Sequence, residues 1–208
     1  MADRDYKRDA VRILFILNAG KSENKSPELS AQFPFVFRGE KRLQAMDFWV
    51  RNPDYLALEL IDQFRSSGDS AKLDHAKAIY ADSEPSLRTI PMLRKHFGAY
   101  EPLDTALAIL ECRALVRPQR VKTAVGSAHY FHLPELAPKF CERIAGEFPL
   151  LGWYRQRAAL VAEVAGTRSG NELKDKQHAR REYHDTRDDH HIPTITDWVK
   201  AELEKLGQ

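Results

Sequence analysis

Apolar residues recur along most of this chain three and four positions apart, the spacing that builds one face of a helix. Val11, Leu14, Phe15 and Asn18 share that spacing and predict a helix over 5–19, with Gly20 as its stop. A polar loop follows. Phe33-Pro34-Phe35-Val36-Phe37 then reads as a packed loop or a short edge strand, because proline interrupts it. Helix returns over 40–65 with Leu43, Met46, Phe48 and Trp49. Asn52-Pro53 breaks it, and Pro53 is suited to open the next helix, which carries Leu56, Leu60, Ile61 and Phe64. Ser66–Ser70 is a break, and residues 71–81 predict a further helix.

Between 86 and 133 the pattern changes. Leu87, Ile90, Leu93 and Phe97 predict a short helix ended by Gly98. Glu101-Pro102 opens a second helix with Leu103, Ala106, Leu107, Leu110 and Ala114, followed by Leu115 and Val116. After Arg117-Pro118, the β-branched run Val121–Val125, a turn at Gly126-Ser127 and the returning run His129–Leu133 predict a two-stranded ribbon. Residues 134–166 predict two helices split near Phe148-Pro149. Residues 171–186 predict one highly charged helix. A last helix over 194–206 has Ile195, Trp198, Val199 and Leu203 on one face. The fold class expected is mainly α with one small β-ribbon, divided into an N-terminal helical region 1–81, a module 86–133 and a C-terminal helical region 134–208, or all of these as one domain.

The order helix, tight turn, helix, ribbon resembles the winged-helix class of helix-turn-helix domains. The likeness is carried by Ile90-Pro91-Met92-Leu93, the turn Gly98-Ala99-Tyr100, the helix Leu103–Val116 running into Arg117, and the ribbon Val121–Leu133. It covers about a quarter of the chain and is a likeness of fold. The class implies duplex DNA as partner, with the second helix in the major groove and the ribbon on the backbone or minor groove. Carried over, the contacting residues are Arg94 and Lys95 before the turn, Thr105 and Arg113 on the second helix, and Arg117, Gln119, Arg120, Lys122 and Ser127 on the ribbon. Asp104 and Glu111 share the outward face of that second helix and oppose phosphate. The alternative is a non-enzymatic assembly subunit that uses the module to hold a protein partner or a second copy of itself, since a fold does not fix a function.

Composition narrows these readings little. The 208 residues carry 32 Lys and Arg against 30 Asp and Glu, a net charge of +2, so any nucleic-acid surface must be a local concentration of cations. Ile13–Leu17 is too short to span a bilayer, which needs about 20 apolar residues. The charged start lacks a signal-peptide pattern, so the cytoplasm is the expected location and no membrane is expected as partner. Cys112 and Cys141 are expected to be reduced, buried thiols.

Enzyme signatures are weak, and no cofactor is implied. His178 and Glu182 lie four apart, and with His184 they suggest a metal-dependent hydrolase; the simpler reading is a solvated helix with charge pairs. Gly20-Lys21-Ser22 has the ending of a phosphate-binding loop but follows a predicted helix and lacks the upstream glycine. Ser127 beside His129 has no orienting group and no nucleophile elbow. Trp49, Tyr55, Trp153, Tyr154 and Trp198 are assigned to core packing.

Overall fold

A computed structural model describes residues 5–85, 92–95, 98–99, 102–124 and 126–207. Among these residues the chain is mostly helical, with a small four-stranded antiparallel sheet. The elements are α1 (Tyr6–Ala19), β1 (Ser22–Glu23), β2 (Phe35–Arg38), α2 (Glu40–Arg51), α3 (Pro53–Ser67), α4 (Ser70–Ala81), β3 (Arg94–Lys95) and β4 (Gly98–Ala99). After these come α5 (Asp104–Cys112), β5 (Arg117–Thr123), β6 (Gly126–Leu133), α6 (Leu136–Glu147), α7 (Pro149–Ala165), α8 (Gly170–His178), α9 (Arg181–His184) and α10 (Thr196–Leu206). Contacts divide the chain into two units, Met1–Met46 with Pro102–Leu173 and Asp47–Glu101 with Lys174–Gln208. The sequence segments 1–81, 86–133 and 134–208 cut across that division.

In the first unit, the Asp5 carboxylate caps α1 by accepting from the N–H groups of Lys7 and Arg8. Ile13 to Leu17 are all buried, because α1 packs against α5, α6 and α7. Phe148 separates α6 from α7 in extended conformation, and Pro149 starts α7 at a position where no N–H is needed. The sheet has strand order β1-β2-β6-β5. Phe37 lies opposite Phe131, and their rings meet edge-on at 6.2 Å. Pro118 is tolerated because β5 is an edge strand.

In the second unit α3 is buried from Pro53 to Ile61 and packs against α4 and α10. Pro53 sits in its first turn, and Gly68 ends it in the left-handed conformation (φ 73°) that glycine adopts without a steric penalty. Phe48 packs edge-on with both Tyr55 and Tyr183, at 5.0 and 5.5 Å.

Several expectations are corrected. The helix expected to end at Gly98 falls largely outside the described residues, but its described part is extended. Leu93 bridges to His191, and Arg94–Lys95 pair with Gly98–Ala99. The Arg94 N–H donates to the His190 carbonyl and the Arg94 carbonyl accepts from Asp189, so long-range pairing has overridden the helical pattern. The second helix stops at Cys112, four residues early. Ala114 turns left-handed (φ 52°) and the Leu115 N–H reaches back to the Leu110 carbonyl, while Leu115 and Val116 stay buried.

Phe35–Arg38 is a strand paired on both sides, not an edge, so the ribbon belongs to a larger sheet. Its turn lies before Gly126, which already pairs with Thr123. The charged helix over 171–186 is broken at Arg180, which is extended and reaches both Glu59 and Asp62. Cys112 is exposed while Cys141 is buried, and burial pushes the Cys141 thiol up to about 12. Trp198 is exposed and Trp153 half-buried, whereas Trp49, Tyr55 and Tyr154 are buried.

Candidate nucleic-acid interface

β5 and β6 form a hairpin in which residues directly opposite share a sheet face. Arg120 opposite His129 and Lys122 opposite Ser127 therefore lie on one face, with Pro118 and Phe131. Arg117, Gln119 and Val121, opposite His132, Tyr130 and Ala128, lie on the other. Arg117, Gln119, Arg120, Lys122 and Ser127 are all exposed. The Arg117 guanidinium lies 5.7 Å from the Phe33 ring centre. Arg120 and Lys122 have no ion-pair partner among the described residues.

The other residues named from sequence are placed differently. Thr105 and Arg113 are exposed on and just after α5, in the same unit as the hairpin, beside exposed Asp104 and Glu111. Arg94 and Lys95 belong to the second unit, where the Arg94 side chain donates to the Thr186 carbonyl. The proposed metal ligands are not assembled: α8 ends at His178 and Glu182 sits on α9, so the i,i+4 helix face does not exist. His184 pairs with Asp185. Among the described residues, no cluster of three or more His, Cys, Asp or Glu is disposed to hold a metal ion. No helix among them is long and apolar enough to cross a membrane.

Gln119 has a part in holding the sheet. Its Oε1 is 2.9 Å from His132 Nε2, and Asn24 Nδ2 is 3.4 Å from His132 Nδ1, an arrangement that suits a neutral ring protonated on Nε2. Burial, then Arg117 and Arg38, hold the His132 imidazole below its ordinary value. The unfolded chain therefore takes up this proton first. The stability supplied by the neutral ring is present above the ordinary value of about 6.5, and it is lost as pH falls from there through the folded-state value. Urea unfolding between about pH 8 and about pH 5 is expected to show a midpoint that drops on acidification, and a smaller drop in His132→Gln. Equal drops in the two proteins would remove His132 from this role.

Sequence reasoning missed a second cationic feature. A cavity of about 960 Å³ lies in the first unit beside the hairpin, lined from three separate stretches: Ala19–Ser22, Arg38–Arg42 and Gly166–Asn171. Ser127 to Tyr130 of β6 complete its wall. Its lining has five Lys or Arg residues (Lys21, Arg38, Lys41, Arg42 and Arg168) and one carboxylate, Glu40. That carboxylate is occupied by His129 Nδ1 at 2.8 Å.

Four of the cations are held by neutral oxygens. Lys21 donates to the Asn18 carbonyl at 2.9 Å and Lys41 to Asn171 Oδ1 at 2.9 Å. Arg38 donates to the Ser22 hydroxyl, and Arg42 to the carbonyls of Gly166 and Arg168. Burial holds the Lys21 ammonium below its ordinary value, and burial followed by the charge of Arg168 does the same to Arg42. These are cations taken partly out of water, and for Lys21 burial outweighs the opposing charge of Glu142. The sequence signal was the recurrence of glycine beside Lys or Arg in Gly20-Lys21, Arg38-Gly39 and Arg168-Ser169-Gly170. Gly20-Lys21-Ser22 lines the cavity even though it follows a helix and forms no phosphate-binding loop of the strand-to-helix type.

No known family model, curated protein or solved structure matches this chain.

Proposed function

We propose that this protein binds duplex DNA through a winged-helix-type module in its first unit, gripping the phosphate backbone with the β5–β6 hairpin. The single observation that carries the reading is the exposed charge of Arg120 and Lys122 on one face of the β5–β6 hairpin, without an ion-pair partner among the described residues, with Arg117 exposed on the other face, in a chain whose net charge is only +2. The module reading draws support from α5 running directly into that hairpin and from α1 packing against α5. In this reading α1 supplies the helix beneath the recognition helix. The exposed face of α5 bears Asp104, Thr105 and Glu111, and Arg113 is exposed just after its end. Two carboxylates there repel phosphate and leave Arg113 as the one strong donor to a guanine edge, so binding is dominated by backbone contact with weak sequence preference.

The test is fluorescence anisotropy with a generic duplex across a salt series. Wild type is expected to bind and to weaken as salt rises. The variant Arg117→Ala/Arg120→Ala/Lys122→Ala is expected to bind more weakly at low salt, with a salt slope shallower by about 0.9 for each phosphate contact removed. Absence of binding at low salt would sink the reading. The assembly-subunit reading would then lead, on the strength of Phe148 and Leu150, exposed at the junction of α6 and α7.

A further inference from the structure

The cavity walled by the first turn of α2 has the features of a ligand site in its own right. We propose that it binds the phosphoryl group of a small phosphorylated molecule of nucleotide size. This inference does not rest on the DNA reading, and it concerns different residues.

The volume comes first. About 960 Å³ lies within the range of small-molecule pockets. Charge comes second. Lys21, Arg38, Lys41 and Arg42 converge on this recess, and their partners are carbonyl, amide and hydroxyl oxygens. Neutral oxygens orient a cation without neutralising it, so the recess keeps its attraction for a dianion. The cations are pre-positioned: Arg42 is fixed by two carbonyls of the loop that follows α7, and Lys21 lies 5.2 Å from the Phe35 ring centre. A group held in advance loses less rotamer freedom when the ligand arrives.

Backbone comes third. Gly39, with φ 93°, turns the chain into α2, whose positive end stands at the cavity wall. Tyr130, on the wall formed by β6, supplies an aromatic surface beside the cations, suited to the apolar or base portion of such a ligand.

The test is calorimetric titration of the full chain with AMP, ribose 5-phosphate and inorganic pyrophosphate, with adenosine as the uncharged counterpart. At least one of the three phosphorylated probes is expected to bind saturably with one site per chain, and adenosine is expected not to. Arg38→Ala/Lys41→Ala removes two exposed cations whose partners are single neutral oxygens, so its thermal unfolding should match wild type while probe affinity falls about tenfold or more. No saturable binding of any phosphorylated probe by about 10 mM would overturn the proposal. Adenosine binding as tightly as AMP, or wild-type affinity in the double variant, would overturn it equally. A generic duplex added to the probe-loaded protein separates the two sources of phosphate. Retention of the probe supports a small-molecule site, and its displacement assigns the recess to backbone phosphate and overturns the proposal.

Discussion

Asp54→Ala is expected to destabilise the protein by about 3–5 kcal/mol, because three donors lose one shared carboxylate acceptor and a hydrogen bond to a charged group contributes about 1.5–3 kcal/mol. Asp54 is fully buried in the first turn of α3. One carboxylate oxygen accepts from the Tyr55 N–H at 3.0 Å. The other accepts from the Ile195 N–H at 2.8 Å and the Thr194 hydroxyl at 2.7 Å, immediately before α10. Neither helix has a side-chain cap from its own N-cap residue: Asn52 donates instead to the Phe48 carbonyl, and Ile195 has no polar side chain. One carboxylate thus serves two helix starts, where the helix dipoles also favour negative charge.

Alanine would leave buried donors without an acceptor, and each such group costs about 1–3 kcal/mol. Asp54→Asn keeps one acceptor oxygen and should lose roughly half as much. Urea titration gives the size of the loss. Hydrogen exchange should show the amides of α10 opening first, because α10 is the element whose start is released. A loss under about 1 kcal/mol for Asp54→Ala, with unchanged exchange in α10, would show that water or another donor set satisfies these groups.

This dual cap also shows where sequence reading stops. The helices with local punctuation were legible: α1 ends before Gly20, α3 begins at Pro53, and α6 and α7 part at Phe148-Pro149. The last two boundaries are set by a proline whose fixed φ suits the first turn of a helix, and the first by the weak helix propensity of glycine. Features that depend on partners far along the chain were not legible. Val36 is a strand residue because it lies between Ser22 and His132, and no local pattern reports a partner 96 positions away. Arg94 is extended because its backbone pairs with the segment 189–190. The hairpin cations could be named from sequence because they lie in one contiguous stretch, and six of the seven residues of β5 are exposed. The cavity could not, because Lys21, Arg38 and Arg168 stand on three stretches that only the folded first unit brings together. The same discontinuity explains why Arg94–Lys95 and the hairpin, read as parts of one module, fall in different units.

Gly170→Ala is expected to destabilise the first unit by about 2–3 kcal/mol and to weaken binding of phosphorylated probes in the cavity, with overpacking as the cause. Gly170 is the first residue of α8, directly after Ser169. Ser169 forms a capping box with Glu172: the Ser169 N–H donates to Glu172 Oε2 at 2.7 Å and the Glu172 N–H to Ser169 Oγ at 3.3 Å. That box fixes the entry of the helix, so Gly170 has little room to shift. A methyl carbon added there would stand 2.6 Å from the Arg42 backbone nitrogen and 2.8 Å from Lys41 Cβ. The obstacle is the backbone of α2, which cannot rotate away as a side chain can. The first turn of α2 and the start of α8 must separate, and that separation moves Arg42 from the Gly166 and Arg168 carbonyls that hold it at the cavity wall. Stability and affinity should therefore fall together. Gly146→Ala is the matched comparison. It lies in α6 with nothing within 4 Å of the added carbon, and alanine there should raise stability by about 0.5–1 kcal/mol through helix propensity. If Gly170→Ala and Gly146→Ala shift the urea midpoint in the same direction, the contact between α8 and α2 is looser than these distances require. If Gly170→Ala loses stability yet binds AMP as wild type does, Arg42 does not depend on that contact for its position.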